Sequence, residues 1–220
     1  MALNIKYILE IVPKIASYLP VTIFMAVFAM VLAIFLGVLL TIVFYIPKLQ
    51  WITRTYTLIF RGFPTLVLLF IAYYGVPQLL HTEDDISAFA VATFCLAFKE
   101  AAYLEEIFRS GILSVDKGQM EAGRSLGLSK AKVYRKIIVP QTFRYIVPPI
   151  GNTFIGLIKE TSLAFSIGVT EIFGQGKLIA SENFQYFNVY IVVGILYVIL
   201  IYFYSLLQTL MEKKLNQIYE

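Results

Sequence analysis

The chain has 220 residues, of which 59% are hydrophobic and 15% are charged, and its formal net charge is +4 at pH 7. Water-soluble domains are nearer half apolar, so this composition excludes an ordinary soluble protein and predicts a polytopic membrane protein. The excess of lysine and arginine lies in polar stretches beside apolar runs, which is typical of membrane topology and argues against a nucleic-acid partner.

The first 19 residues predict an amphipathic helix that lies at the membrane interface, as an N-terminal unit of its own. Apolar residues recur there at helical spacing, and the charged residues fall on other faces. No small-residue cleavage site closes a short apolar core, so we expect no cleavable signal peptide. The apolar positions are Ile5, Leu9, Val12, Ile15 and Leu19.

Five apolar runs follow, each long enough or nearly long enough to cross a bilayer, which takes roughly 20 residues. They predict an all-α membrane helix bundle with five transmembrane helices, a transmembrane domain at 20–213 and a cytoplasmic tail at 214–220. We expect an acidic loop at 81–85 and a glycine-rich loop after the fourth run. The runs are 20–46, 56–74, 86–107, 137–165 and 187–211.

The distribution of lysine and arginine predicts the orientation of the bundle. Most of these residues lie between the first and second runs, in the insert between the third and fourth runs, and in the tail. Cytoplasmic loops carry such an excess, so we expect the insert and the carboxyl terminus to be cytoplasmic and the amino terminus to be outside.

The insert contains a basic segment, 119–140, that reads QMEAGRSLGLSKAKVYRKIIVP. Met120, Gly123 and Gly127 share a helical face, which predicts a short helix at 120–128. Ser129 can cap a second helix that begins at Lys130 and continues into the membrane. Such a helix, parallel to the membrane surface, suits contact with a soluble partner, but a basic loop that only fixes orientation is an open alternative.

Ionisable residues also fall inside the predicted spans, where each one is costly unless it is paired or faces water. Lys99, Tyr103 and Glu106 share one helical face, with Glu100 one step round. In the fourth run Asn152, Gly156 and Glu160 recur at four-residue intervals, flanked by Lys159, Thr161 and Ser162. These residues either line a polar pocket for a charged solute, or the lysines pair with the glutamates as structural contacts between helices.

The sequence has no Gly-rich nucleotide loop and no histidine–cysteine cluster with metal-ligand spacing. The lone Cys95 lies in an apolar run and is expected to serve packing. We therefore expect no catalytic residue, bound metal or cofactor in this chain, and energy must come from a partner or from an ion gradient.

The basic segment resembles the EAA motif of the membrane subunits of ATP-binding cassette (ABC) importers. The match consists of Glu121-Ala122-Gly123, Gly127, Ile137 and Val139-Pro140, with Gly123 in place of alanine and Val139 in place of leucine. In that family this segment is the coupling helix, which docks on the ATPase subunit. The resemblance therefore implies that the coupling loop is 110–136, with contact residues at Met120, Glu121, Ala122, Gly123, Ser125, Leu126, Gly127 and Leu128.

Four further sequence segments resemble those of the polar amino-acid permeases of this class. They are Arg61-Gly62-x-Pro64, Ala102-Tyr103 before Glu106-Ile107-Phe108-Arg109, Pro148-Pro149-x-Gly151-Asn152, and Lys159-Glu160-Thr161-Ser162-Leu163. The chain departs from these relatives at Lys99-Glu100, where small or neutral residues are common, and at Leu68, which replaces a frequent glutamine.

The resemblance implies a pathway built from two permease subunits, identical or different, with two ATPase subunits that hold ATP and Mg²⁺ and an external solute-binding protein. The hypothesis for cargo is a basic amino acid, with a glutamine- or glutamate-type substrate as the alternative. An ion-coupled secondary transporter and a non-transport scaffold are further alternatives. The candidate substrate-binding residues are Arg61, Lys99, Glu100, Tyr103, Asn152, Lys159, Glu160, Thr161 and Ser162.

Overall fold

The structure, a computed structural model, describes residues 4–81 and 86–217, and all regular secondary structure in these two ranges is helical. This confirms the all-α prediction. Residues 82–85 of the predicted acidic loop, and the last three residues of the predicted tail, lie outside the described residues. The longer helices are α1 (Ile5–Ala16), α2 (Leu19–Phe44), α3 (Gln50–Gly62), α6 (Ala88–Leu113), α7 (Lys117–Ser125), α9 (Val139–Glu160), α10 (Ile172–Asn183) and α11 (Tyr186–Gln217). The short ones are α4 (Thr65–Phe70), α5 (Val76–Leu80) and α8 (Lys130–Val133).

The core of the bundle is the contact between α2 and α6, the most extensive between any two helices. Small residues face each other there, which lets the two backbones approach closely, as is usual between membrane helices. A Cβ atom added to Gly37 would lie 2.9 Å from Cβ of Leu104. This contact fixes the position of the charged side chains that α6 carries further along its length.

The second predicted span, 56–74, is wrong as a single straight helix. α3 starts at Gln50 and ends at Gly62, and the chain resumes at Thr65 in a direction that differs by 104°. Phe63 and Pro64 between them have extended backbone, because the ring of a proline disfavours helical geometry in the residue before it. The second segment then continues through a π-helical turn, Ile71–Gly75, into α5.

The fourth predicted span is one continuous helical path. It runs through α8, a π-helical turn at Tyr134–Ile138, α9, and a 3₁₀ segment at Thr161–Ile167. Pro140 lies in the first turn of α9 and does not end the path, as the sequence predicted. The part of the basic segment from Lys130 onward and Glu160, the last residue of α9, therefore belong to this one helical path, which is called the rod below.

The predicted loop after the fourth span is wrong in part, since residues 172–183 form α10. The glycines there serve close packing: a Cβ at Gly176 would lie 2.4 Å from Cγ2 of Val193 on α11. Glu171 begins the helix and is fully buried. Its carboxylate accepts hydrogen bonds from the backbone N–H groups of Phe173 and Gly174 and from the Tyr197 hydroxyl, at 3.0, 2.8 and 2.7 Å.

Within the predicted amino-terminal unit 1–19, of which residues 1–3 lie outside the described residues, the structure has the helix α1 at Ile5–Ala16. Ile11 and Ile15 are buried in one cluster with residues of α10 and α11, whereas Ile5 and Leu9 are exposed. Its predicted position at the membrane interface stays a prediction.

By length and apolar composition, α2 and α11 can each cross a membrane, and the bent pair formed by α3 and Thr65–Leu80 counts as a third crossing if it is one span. α6 and α9 have 26 and 22 residues, but both carry ionisable side chains. The count of five transmembrane helices therefore stays a prediction.

Candidate functional site

The helix of the basic segment is α7, Lys117–Ser125, so it begins and ends three residues before the predicted 120–128. It begins early because the Asp116 side chain caps it, accepting a hydrogen bond from the Gly118 N–H at 2.7 Å. It ends early because Gly127 adopts a positive φ of 76°. The N–H groups of Gly127 and Leu128 then bond the carbonyls of Arg124 and Gly123, which is a Schellman motif.

One face of α7 packs tightly on the rod that follows it. Gly123 is buried, and a Cβ there would lie 2.8 Å from Cγ2 of Val133. Met120 and Leu128 pack into the same apolar cluster, which also contains Ile138. Ser129 caps α8, as predicted, by accepting a hydrogen bond from the Lys132 N–H at 3.4 Å. α7 is therefore held rigidly against the start of the fourth span.

The other face of α7 is open. Glu121, Ala122 and Ser125 are exposed, and Leu126 is 80% exposed. An acidic side chain beside a protruding leucine is a surface that a soluble partner can recognise by charge and by apolar contact. The role of these residues in docking an ATPase stays a prediction.

The second site is a cluster of charges between α6 and α9. The Nζ of Lys99 lies 2.5 and 2.7 Å from the two carboxylate oxygens of Glu160, and 3.2 Å from Oε1 of Glu100. Lys99 and Glu100 are buried. The sequence left open which lysine neutralises these glutamates. Lys99 does so, whereas Lys159 is exposed and forms no ion pair within 4–81 and 86–217.

A second ion pair lies next to the first and joins α3 to α6. The guanidinium of Arg61 pairs with Glu106, and Arg109 lies 3.8 Å from the same carboxylate and 3.5 Å from that of Glu105. The ring of Tyr103 separates the two pairs, with Arg61 5.3 Å and Lys99 5.2 Å from its centroid. The face of a tyrosine ring attracts cations, so Tyr103 holds both in place.

An ion pair and a hydrogen bond hold the break in the second span from its two sides. Arg61, the penultimate residue of α3, is bound by Glu106 of α6, and Thr65, the first residue of α4, donates a hydrogen bond to Glu160 of α9 at 3.4 Å. The break is therefore clamped to both of the helices that carry the charges.

A cavity of about 490 Å³ opens beside the cluster, which is within the usual size range of small-ligand sites. Two arginines lie on its wall. Arg61 is paired with Glu106, whereas Arg54 forms no ion pair among the described residues, so the wall favours an anionic group near Arg54. Its lining residues are Arg54, Thr57, Leu58, Arg61, Gly62 and Tyr103.

The remaining predicted substrate residues have different surroundings. Asn152 is exposed, and a Cβ at Gly156 would meet no atom within 4 Å, so the face of α9 that leads to Glu160 is open. Thr161 is fully buried and donates to the carbonyl of Ile158 at 2.7 Å. Ser162 donates to the carbonyl of Lys159 at 2.7 Å. Contact of these residues with a solute stays a prediction.

Sequence reasoning missed several partners in these sites. Glu105 and Arg109 are one helical turn apart and could have been found from that spacing. The pairing of Arg61 with Glu106, and the bond from Thr65 to Glu160, join residues far apart in sequence and depend on the bent path of the chain. No sequence signal pointed to Glu171.

Comparison with known proteins agrees with this arrangement. Residues 29–217 match the model of the family described as binding-protein-dependent transport system inner membrane component. The chain belongs to this family. A solved structure described as an amino acid ABC transporter with histidines has the same fold as this permease, with a TM-score of 0.90, 31% identity, and coverage of 97% of this chain and 100% of that one.

Relatives of this permease carry amino-acid transport names. It is 46% identical over 216 residues to the probable amino-acid permease protein YxeN of Bacillus subtilis, covering 97% of this chain and 96% of that protein. It is 37% identical over 221 residues to the probable amino-acid ABC transporter permease protein PatM of Vibrio harveyi, covering 100% and 99%. Other relatives are named for L-cystine, arginine and, putatively, glutamine. The chain is an amino-acid ABC transporter permease, and these names do not agree on a substrate.

Proposed function

We propose that this permease forms the translocation pathway of an ATP-driven importer for a basic amino acid such as arginine, lysine or histidine. The observation that carries the proposal is the charge balance of the buried cluster. One lysine, Lys99, faces the two carboxylates of Glu100 and Glu160, so the cluster has a net negative charge when both are ionised. A buried excess charge is costly, and a cationic ligand compensates it.

The cavity beside the cluster supports the same substrate class. An amino acid presents a carboxylate as well as its cationic groups, and a site for it needs groups of both signs. Arg54 on the cavity wall suits the carboxylate, and Glu160 suits a cationic side chain, because its partner Lys99 lies against the Tyr103 ring that also lines the cavity. A glutamine- or glutamate-type substrate is the second candidate, because the contact of Lys99 with Glu160 leaves only a small excess of negative charge.

The coupling surface is proposed to be the open face of α7. Two copies of the permease, or this chain and a second permease subunit, would place two such helices on two ATPase subunits, with α7 on the cytoplasmic side, the carboxyl terminus inside and the amino terminus outside. Closure of the ATPases on ATP would then move the rods and change the side to which the pathway opens. ATP hydrolysis would reside in the partner subunits, and a solute-binding protein would deliver the amino acid.

The test is ATP-dependent uptake in proteoliposomes that contain the permease and its ATPase. We expect Glu160→Gln to raise the KM for labelled arginine by about tenfold or more, since close charge pairs at binding sites are typically worth more than the 1.4 kcal/mol to which that corresponds. Glu10→Gln, which removes an exposed carboxylate of α1, is the matched control. Arginine uptake by Glu160→Gln at the wild-type rate and KM would refute the role of this carboxylate. Uptake without ATP would favour an ion-coupled transporter.

A further inference from the structure

The three charges of the buried cluster differ in their access to the outside. The side chain of Glu160 is 28% exposed, whereas those of Lys99 and Glu100 are 9% and 6% exposed. The open face of α9 at Asn152 and Gly156 leads to Glu160. A solute cation that approaches along this face therefore meets Glu160 before the more deeply buried Lys99 and Glu100.

Lys99 already contacts both of its possible partners. Its Nζ lies within 2.7 Å of both oxygens of Glu160 and 3.2 Å from Glu100, which is its neighbour on α6. A lysine ammonium is a compact charge on a flexible stem, so it can exchange partners with a small change of side-chain rotamer. If a ligand cation takes the carboxylate of Glu160, Lys99 keeps an ion pair with Glu100.

We propose that Lys99 is a tethered counter-ion that competes with the cationic group of the substrate for Glu160, and that Glu100 receives Lys99 when the substrate is bound. This inference rests on the proposed basic substrate. Lys99 neutralises Glu160 in the empty site, where an unpaired and partly buried carboxylate would be costly. It also weakens the hold on the substrate, and a translocation site must bind weakly enough to release its cargo.

Substitutions of Lys99 and of its neighbour Glu100 should shift the affinity for arginine in opposite directions. Lys99→Met removes the competitor, so arginine should bind at least about tenfold more tightly, in keeping with the usual strength of close charge pairs. Glu100→Gln removes the alternative partner of Lys99, so displacing the lysine becomes costly and arginine should bind about tenfold more weakly. Both variants should change the affinity for citrulline much less, because its side chain is an uncharged analogue of that of arginine.

The experiment measures the affinities of arginine and citrulline by titration calorimetry on the purified complex of permease and ATPase. Lys177→Met is the matched control, because it removes an exposed lysine of α10 that pairs with no carboxylate among the described residues. Glu100→Gln keeps the Lys99–Glu160 pair intact, so it tests the proposal even if Lys99→Met fails to fold. Lys99→Arg keeps the positive charge and should retain most of the wild-type preference for arginine over citrulline.

The outcomes separate the inference from the function on which it rests. Opposite shifts of the arginine-to-citrulline preference in Lys99→Met and Glu100→Gln support the counter-ion. If the wild-type complex prefers arginine and both variants keep that preference, or both lose part of it, the counter-ion role of Lys99 is overturned. The Lys99–Glu160 contact is then a structural ion pair. A wild-type complex that prefers citrulline overturns the basic substrate and the inference with it.

Discussion

Gly127 offers a direct test of how the coupling surface works. Its φ of 76° lies in the left-handed region, and a Cβ added there would meet no atom within 4 Å. Gly127→Ala therefore changes backbone energy without creating a steric clash with a neighbour. A left-handed conformation costs a residue with a Cβ about 1–2 kcal/mol, which lowers the population of the capped α7 relative to other states about 5- to 30-fold.

The consequence should appear as loss of coupling rather than loss of the protein. The two hydrogen bonds that end α7 depend on this conformation, and they close the turn that contains Leu126. We expect Gly127→Ala to insert and assemble with its ATPase, but to transport fewer amino-acid molecules per ATP hydrolysed. Gly127→Val should have a larger effect, because a β-branched residue is still less compatible with a positive φ.

The assay compares uptake and phosphate release in the same proteoliposomes. Gly127→Asn is the control, because asparagine adopts the left-handed conformation more readily than other residues with a Cβ. It should retain more of the coupling than Gly127→Ala. Equal uptake per ATP in wild type, Gly127→Ala and Gly127→Val would refute the reasoning that the cap geometry of α7 matters for coupling.

Three further outcomes are expected. Glu121→Lys reverses an exposed charge of α7 and should reduce uptake per ATP in the same assay. Unchanged uptake per ATP would mean that this face contacts no partner. Gly37→Ala should lower the free energy of unfolding, measured by detergent titration, by about 1–3 kcal/mol relative to Gly194→Ala, because a Cβ is overpacked at Gly37 and meets no atom within 4 Å at Gly194; equal values would contradict the α2–α6 contact. Tyr197→Phe removes a donor to the buried Glu171 and should cost about 1.5–3 kcal/mol in that titration, whereas an unchanged value would mean that water or another donor replaces the hydroxyl.

Much of the helical architecture could be predicted because apolar periodicity and capping residues act locally. The predicted first run, 20–46, corresponds to α2, and Ser129 caps α8 as expected. The end of α7 was predicted too late, since Gly127 was placed within the helix on the strength of its spacing. Its positive φ instead makes it the residue that ends the helix.

The errors have a common physical origin in long-range packing. Gly174 and Gly176 predicted a loop, but in α10 they provide close contact with Phe165 and Val193, which compensates the low helix propensity of glycine. The bend in the second span had a local signal in the Phe63-Pro64 pair, but the apolar composition of the run outweighed it in the prediction of a span at 56–74.

The sequence predicted which charged residues belong to the candidate substrate site, but not which of them pair with each other. Helical spacing placed Lys99, Tyr103 and Glu106 on one face. In the structure Lys99 lies over the ring of Tyr103, and Arg61 contacts both Tyr103 and Glu106. Helical spacing could not decide whether Lys99 or Lys159 pairs with Glu160, because that depends on the rotation of α9 against α6. It could not reveal that Arg61 closes the same network from a third helix.

The continuous helical path from Lys130 to Glu160 has a mechanical consequence. At 1.5 Å per residue it separates the two ends by roughly 45 Å, with helical backbone all the way. α7 is packed on the first end and the Lys99 ion pair is attached to the second. If α7 docks on an ATPase as proposed, a tilt or rotation imposed on it is carried along this helical path to the carboxylate of Glu160, so the nucleotide state of a distant subunit would alter the electrostatics of the pathway.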